Sequence, residues 1–213
     1  MKITRAQLDP FLKRYRTEAL VLDIGAGKVS TNHSYTEYFP NRHTVDVDPK
    51  RLPDTVADVH QLPFQDGSYD VVLATEVLEH CHTPPRALSE MVRVLKSRGT
   101  LILTTRFVYP LHDIPHDYYR FTEYGLRHLL SDMDILELTP ETETFSALGA
   151  LLERVGFQTT LRGGKLTKAV VYSVAKILTK LNWLIMSEYG DIGRRTPTSH
   201  IMTTGYYVVA RKQ

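Results

Sequence analysis

Tyr69 to Thr105, YDVVLATEVLEHCHTPPRALSEMVRVLKSRGTLILTT, reads as a strand, a helix and a second strand in immediate succession. Tyr69 to Ala74 and Thr100 to Thr105 are short apolar runs of the kind buried on both faces of a sheet. Between them, Pro85 to Lys96 sets Leu88, Met91, Val92 and Leu95 on one helical face, and Gly99 follows its end. Upstream, Leu20 to Ile24 and Thr44 to Val47 repeat the strand pattern. Leu8, Phe11, Leu12 and Tyr15 recur at helical spacing behind Thr4, which predicts a short helix over a sheet edge. Buried strands alternating with amphipathic helices predict an α/β fold, a doubly wound, mostly parallel sheet.

Composition agrees with such a domain and excludes several classes. The 213 residues carry 26 basic and 24 acidic side chains, a net charge of +2, so the chain is no polyelectrolyte. The single cysteine, Cys81, can form no intrachain disulfide and leaves no cysteine cluster for zinc. A reducing compartment, the cytoplasm, is the expectation. Met1 to Leu22 is interrupted by charges and lacks a signal-peptide core, and no uncharged apolar stretch is long enough to span a bilayer. We expect one domain over residues 1–213, elaborated over 142–202.

The second half is less regular. Thr122 caps a predicted helix to Leu130, and Asp134 to Thr139 is preferred as the sixth strand, with Leu151 to Leu161 as the alternative helix and strand. Leu148 to Val155 is a further helix candidate. Lys165 to Met186 predicts one long amphipathic helix, with Val170, Val171, Val174, Ile177 and Leu178 on one side and Lys165, Lys168, Lys176 and Lys180 on the other. Its apolar face could pack on its own domain, mediate dimerisation or cover a substrate, or lie on an anionic membrane surface. Thr203 to Arg211 has the content of a closing strand.

Asp23-Ile24-Gly25-Ala26-Gly27 sits where the first strand must turn sharply, and glycines there let backbone approach a ligand. A dinucleotide site would want a third glycine at position 30, which is Ser30. Asp46 ends the second strand about 20 residues beyond the turn, where a carboxylate can accept from a ribose diol. Asp58 precedes Gln61-Leu62-Pro63-Phe64 and could accept from an adenine amine; singly, either acid could be a solvated loop carboxylate. An adenosine ligand without a pyrophosphate fits the set.

The segments VLDIGAGKVS, HTVDVDP, ADVHQLPFQDGSYDVVLATEVLEH, PPRALSEMVRVLKSRGTLILTT and HDIPHDYYRFT resemble, in order and spacing, class I S-adenosylmethionine-dependent methyltransferases. The LPF-to-EH and HDYYRFT stretches are similar to the small-molecule branch associated with glycan and polysaccharide assembly. The resemblance implies a Rossmann-like, seven-stranded sheet whose reversed last strand is Gly205 to Lys212, preceded by a helical insertion. It implies S-adenosylmethionine as cofactor and S-adenosylhomocysteine as product. Asp23, Gly25 and Gly27 would line the methionine end, Asp46 the ribose, and Asp58 with Val59 the adenine. Lys28 stands where the family has a small residue, and the polar run Ser30 to Phe39 suggests a brief first helix.

Two loops at the carboxyl ends of strands hold the reactive side chains. If a helix starts at Thr75, then Glu76, Glu79 and His80 share one face at metal-ligand spacing, a string similar to that of metal-dependent RNA 2′-O-methyltransferases and equally present in metal-free members. We expect no metal. In Phe107 to Phe121, FVYPLHDIPHDYYRF, His112 and His116 are the candidate bases, since an imidazole titrates near working pH. Tyr118, Tyr119 and Arg120 could shape an acceptor pocket, or Arg120 could pair with Asp117 or Asp113 in a structural loop. His43, His60, His128 and His200 read as surface residues. The expected activity is methyl transfer to oxygen or nitrogen of a small-molecule or glycan-related acceptor; a non-catalytic adenosyl-binding subunit and a metal-dependent RNA 2′-O-methyltransferase are the alternatives. The modest charge argues against a nucleic-acid partner.

Overall fold

The computed structural model describes residues 7–28, 35–198 and 200–213, which divide into two compact units. The larger comprises Pro10–Arg106, Leu111–Thr139 and Tyr206–Gln213. Its chain order is α1 (Leu8–Arg14), β1 (Val21–Ile24), β2 (Arg42–Asp46), β3 (Thr55–Val56), β4 (Tyr69–Thr75), α2 (Pro84–Val94), β5 (Leu95–Arg106), α3 (Glu123–Leu129) and β6 (Met133–Pro140). The closing strand β9 (Gly205–Lys212) follows the smaller unit's own elements.

The seven strands lie in the order β3-β2-β1-β4-β5-β9-β6, and the β1–β2, β1–β4, β2–β3 and β4–β5 pairs are all parallel. Beyond β5 the chain directions oppose: Phe107 N–H donates to the Thr204 carbonyl and Val108 N–H to that of Thr203, at 3.0 and 3.1 Å. Flanking helices complete the mostly parallel, doubly wound fold expected from the sequence. The strand order reverses between β1 and β4, the place where such sheets open a crevice at their carboxyl edge.

Local chemistry explains the elements. In α2 the stripe Ala87, Leu88, Met91 and Val94 is buried, and Pro84 begins the helix where an N–H would lack an acceptor anyway. Arg93 on this helix donates to the Leu62 and Phe64 carbonyls at 2.9 and 2.7 Å, while Glu90 accepts from Leu62 N–H. The pair thereby fastens the LPF segment. Thr122 Oγ1 accepts from Gly125 N–H and caps α3 as its position predicts. Phe11 of α1 stacks on Tyr207 of β9 at 4.7 Å, and Arg14 and Tyr15 both donate to Glu137 of β6, so the first helix covers that edge.

The smaller unit comprises Phe107–Pro110, Pro140–Gly205 and the first nine residues, of which 7–9 are described. It holds α4 (Thr144–Gln158), α5 (Gly164–Leu178) and an antiparallel pair, β7 (Glu188–Asp191) with β8 (Thr196–Thr198), which the sequence reading lacked. A Cβ on Gly149 would lie 2.7 Å from the Ala175 carbonyl oxygen, and one on Gly156 2.9 Å from the Tyr172 ring. These glycines let α5 lie close on α4. Asn182 accepts from Phe145 N–H at 2.9 Å and donates to Ser146, closing the start of α4. The helix predicted over 165–186 is therefore shorter. It stops at Leu178, and Asn182–Leu184 forms a separate 3-10 turn committed to capping.

Among the described residues, no helix is long and apolar enough to cross a membrane. Thr4 and Ser30 lie outside the described residues, as does most of the polar run before Phe39; Tyr35–Glu37 within that run is a 3-10 turn.

Candidate functional site

Parallel pairing puts the ends of β1, β2 and β4 on one edge of the larger unit. Gly25 adopts φ +76° there and donates to the Val45 carbonyl at 2.8 Å, which bends the chain sharply off β1. Gly27 answers to a different constraint. A Cβ on it would lie 2.2 Å from the backbone carbonyl oxygen of Arg51, so the turn can approach the segment after β2 only without a side chain. Lys28, the departure from the family pattern, reaches outward to Asp54 at 3.3 Å.

Asp23 is 1% exposed, and Arg42 donates to its carboxylate at 2.6 Å. Burial pushes this carboxyl up to about 7, with the Arg42 guanidinium pulling the other way. The aspartate is thus buried two residues before Gly25 and held by Arg42. Asp46 lies at the rim: one oxygen accepts from Asp48 N–H at 2.8 Å, and the other faces Arg51 at 3.4 Å. Arg51 also donates to the Gly25 carbonyl at 3.2 Å, tying the two strand ends together.

Asp58 is half exposed and accepts from both the backbone and the ring of His60, at 2.9 and 2.6 Å. Burial opposes its charge, but these His60 donors hold it below the usual carboxylate range. Val59 beside it is partly exposed. His60 is not the surface residue expected from sequence: it is buried, stacks on His82 at 4.0 Å and meets Thr83 N–H with its other nitrogen. His43 likewise bonds Thr55 and Tyr69 inside the sheet, whereas His128 is exposed as expected and His200 is partly covered.

The 75–80 segment is no α-helix, so the shared face predicted for Glu76, Glu79 and His80 does not form. Glu76 adopts a left-handed φ of +58°, and only Leu78–His80 closes a 3-10 turn. Its carboxylate turns to Arg106 and to Thr104, at 3.0 Å from the latter. Glu79 is fully buried; one oxygen accepts from Thr105 at 2.8 Å, and the other, Oε1, has no hydrogen-bond partner among the described residues. Burial first, and then the neighbouring Glu76 charge, push its carboxyl up to about 8.

The 111–121 loop docks on that turn. Tyr118 and Tyr119 N–H groups donate to the Glu79 carbonyl, and His80 Nδ1 meets the His116 carbonyl at 2.6 Å. Asp117 is the loop's buried anchor. Arg120 grips it bidentately at 2.7 Å, holding its carboxyl down near 2, and it accepts from His112 N–H. His112 packs edge-on to His80 at 4.8 Å, and burial lowers its pKa despite Asp117, leaving a neutral ring at working pH. His116 is exposed, 3.2 Å from the Tyr118 hydroxyl.

Among the described residues, two sets of side chains offer donor atoms close enough for a metal ion: Glu79 with His80 and His112, and Asp58 with His60 and His82. Neither includes Glu76. Arg42 and Arg51 were missed by the sequence reading, whereas Asp117 is one of the two partners it offered Arg120 in a structural loop, and the structure pairs them. A trace of Arg42 was available: with Val21 facing Arg42 in parallel register, the period of two puts Arg42 on the same face as Asp23.

The Glu79 proton has a measurable consequence. It is bound in the folded chain and lost in the unfolded one across the interval from 4.5 to about 8. Stability should therefore fall as pH rises through that window, by at most about 1.4 kcal/mol per pH unit. Glu79→Gln is expected to flatten this part of a denaturant-derived stability profile; an unchanged slope would show that the carboxyl is ionised throughout.

Residues 22–103 match a family model described as "Methyltransferase domain". The match runs from β1 into β5, and the fold is the Rossmann-like one found in solved methyltransferases. A demethylmenaquinone methyltransferase of Renibacterium salmoninarum is 32% identical over 119 residues, 51% of this chain and 49% of its own length. The chain spans about half or less of the length of the curated relatives it first matches. Among solved structures, a phosphoethanolamine N-methyltransferase of Haemonchus contortus, bound to phosphomonomethylethanolamine and S-adenosylhomocysteine, aligns with TM-score 0.59 and 17% identity. That alignment covers 97% of this chain and 53% of the other. The cyclase SpnF aligns with TM-score 0.59 at 16% identity, covering 97% and 80%. A methyltransferase-type fold can thus carry a different named activity, and the chemistry must be argued from the site.

Proposed function

We propose that this protein is an S-adenosylmethionine-dependent methyltransferase acting on oxygen or nitrogen of a small-molecule acceptor, with a glycan-related compound as the first candidate. The observation that carries the reading is the rim itself: a glycine turn leaving β1 and a carboxylate ending β2 meet beside the β1–β4 reversal. The donor set suits the cofactor. Asp46 would hold a ribose diol, Asp58 and Val59 would flank adenine, and the Gly25–Gly27 turn would lie along the methionine end.

When bound, S-adenosylmethionine supplies an activated methyl group on a sulfonium, so the protein's main task is alignment. His112 is the better placed of the two predicted bases. Its partial burial keeps it neutral, and Asp117 orients it, whereas His116 is open to water. The buried Glu79, carrying its proton at neutral pH, would stand beside it as the complementary acid.

The test couples binding to turnover. Asp46→Ala should weaken cofactor affinity about 10- to 100-fold by calorimetry, the loss of a charge-assisted hydrogen-bond pair worth about 1.5 to 3 kcal/mol. Incubation with methyl-labelled cofactor and fractionated metabolites should then label an acceptor. Tight binding with no labelled product would favour the non-catalytic adenosyl-binding subunit, and an unchanged affinity in the variant would remove Asp46 from the site.

A further inference from the structure

We infer that α5 and the turn after it form an interfacial patch that docks the protein on an anionic lipid surface. The sequence reading gathers the apolar residues of this helix on one face and leaves open whether that face packs on its own domain, meets a partner or lies on a membrane. The structure divides its apolar residues between two sides instead. Ala175 is buried toward α4, and Val171 approaches Gly156. On the side about 180° from Ala175, Leu166, Val170 and Ile177 lie within about 40° of one another at 3.6 residues per turn. They are 76%, 56% and 57% exposed. Trp183, just beyond the helix, is 78% exposed.

Charge selects the partner. Between Glu153 and Glu188 the sequence contains no acidic residue, while Arg162, Lys165, Lys168, Lys176 and Lys180 all fall in that interval. Lys165 and Lys176 project about 100° to 120° to one side of the middle of the exposed apolar stripe, flanking it as in a helix lying in a headgroup layer. A two-fold dimer through the stripe would set the same lysines of two copies together with no carboxylate to neutralise them. A nucleic acid would engage the lysines but leave Leu166 and Ile177 in water. An anionic bilayer satisfies both: headgroups meet the ammonium groups, the apolar side chains enter the acyl boundary, and Trp183 suits the interface. No described helix can span the bilayer, so the contact is one of lying on the surface.

The full-length chain carries its own reporter, because Trp183 is the single tryptophan. Its emission should shift to the blue, and the protein should sediment, with phosphatidylcholine vesicles containing about 30 mol% phosphatidylglycerol. Pure phosphatidylcholine should bind at least about tenfold more weakly, and 0.5 M salt should release the protein. Lys165→Gln and Lys176→Gln should each cost about fivefold in lipid affinity. Leu166→Asp with Ile177→Asp should abolish the shift without lowering the melting temperature, since both positions are exposed. Equal binding to neutral vesicles, absence of binding to either vesicle, or a lipid-free dimer dispersed by the Asp pair would overturn the inference. The wild-type salt and lipid series decides it even where a variant fails to fold, and none of these readouts requires methyl transfer.

Discussion

Gly27→Ala is expected to destabilise the protein by about 3 kcal/mol and to abolish measurable cofactor binding. The added Cβ would sit 2.2 Å from the Arg51 carbonyl oxygen and 2.8 Å from its carbon. Both are backbone atoms, so no rotamer change can relieve the overlap. The glycine turn and the segment after β2 must separate, and that motion breaks the Lys28 N–H bond to the Leu52 carbonyl and the Arg51 bridge to Gly25. Asp46 sits on the displaced side, so the rim loses its geometry along with its stability. A chemical-denaturation midpoint equal to wild type would show that the two segments are not in contact in solution.

Arg42→Met should cost about 3 to 5 kcal/mol, because it leaves Asp23 without its cation in a site only 1% exposed. The loss should be smallest in acid and largest at neutral and higher pH. With the guanidinium gone, the carboxyl moves above its present value of about 7 and takes up a proton on folding, a requirement that grows costlier as pH rises. Asp23→Asn in the same chain removes the buried acid and should recover most of the stability above neutral pH. Equal stability of the single and double variants at pH 8 would mean that the pair carries no coupling. Cofactor affinity offers a separate readout, since Asp23 lies on β1 two residues before Gly25.

The two variants differ in how visible their causes were in the sequence. Gly27 could be picked out as a glycine at a strand end, but its reason is contact with Arg51, whose backbone comes close only after β1 and β2 pair in register. Asp23 read as an acid just before the glycine turn, and its burial with Arg42 emerges only once β1 and β2 lie side by side. Glu76, Glu79 and His80 invited a helical reading from their spacing. The left-handed φ at Glu76 breaks that periodicity and sends its carboxylate to Arg106 while Glu79 turns inward. Spacing describes side-chain neighbours only where the backbone is regular.

The amino-acid order by itself determined the alternation of buried strands and amphipathic helices, the doubly wound sheet they build, the glycine turn, and the positions of Asp46 and Asp58 at the carboxyl edge. Those signals are local, since a run of apolar residues or a 3.6-residue stripe needs no distant partner to be recognised. The tertiary structure alone decided that Arg42 pairs with the buried Asp23, that Asp117 anchors the loop bearing His112, that Glu79 is fully buried with a bond to Thr105, and which side of α5 stays in water. Each depends on groups far apart in the chain being brought together or kept apart, and burial and pairing energies are set by those three-dimensional neighbours rather than by sequence spacing.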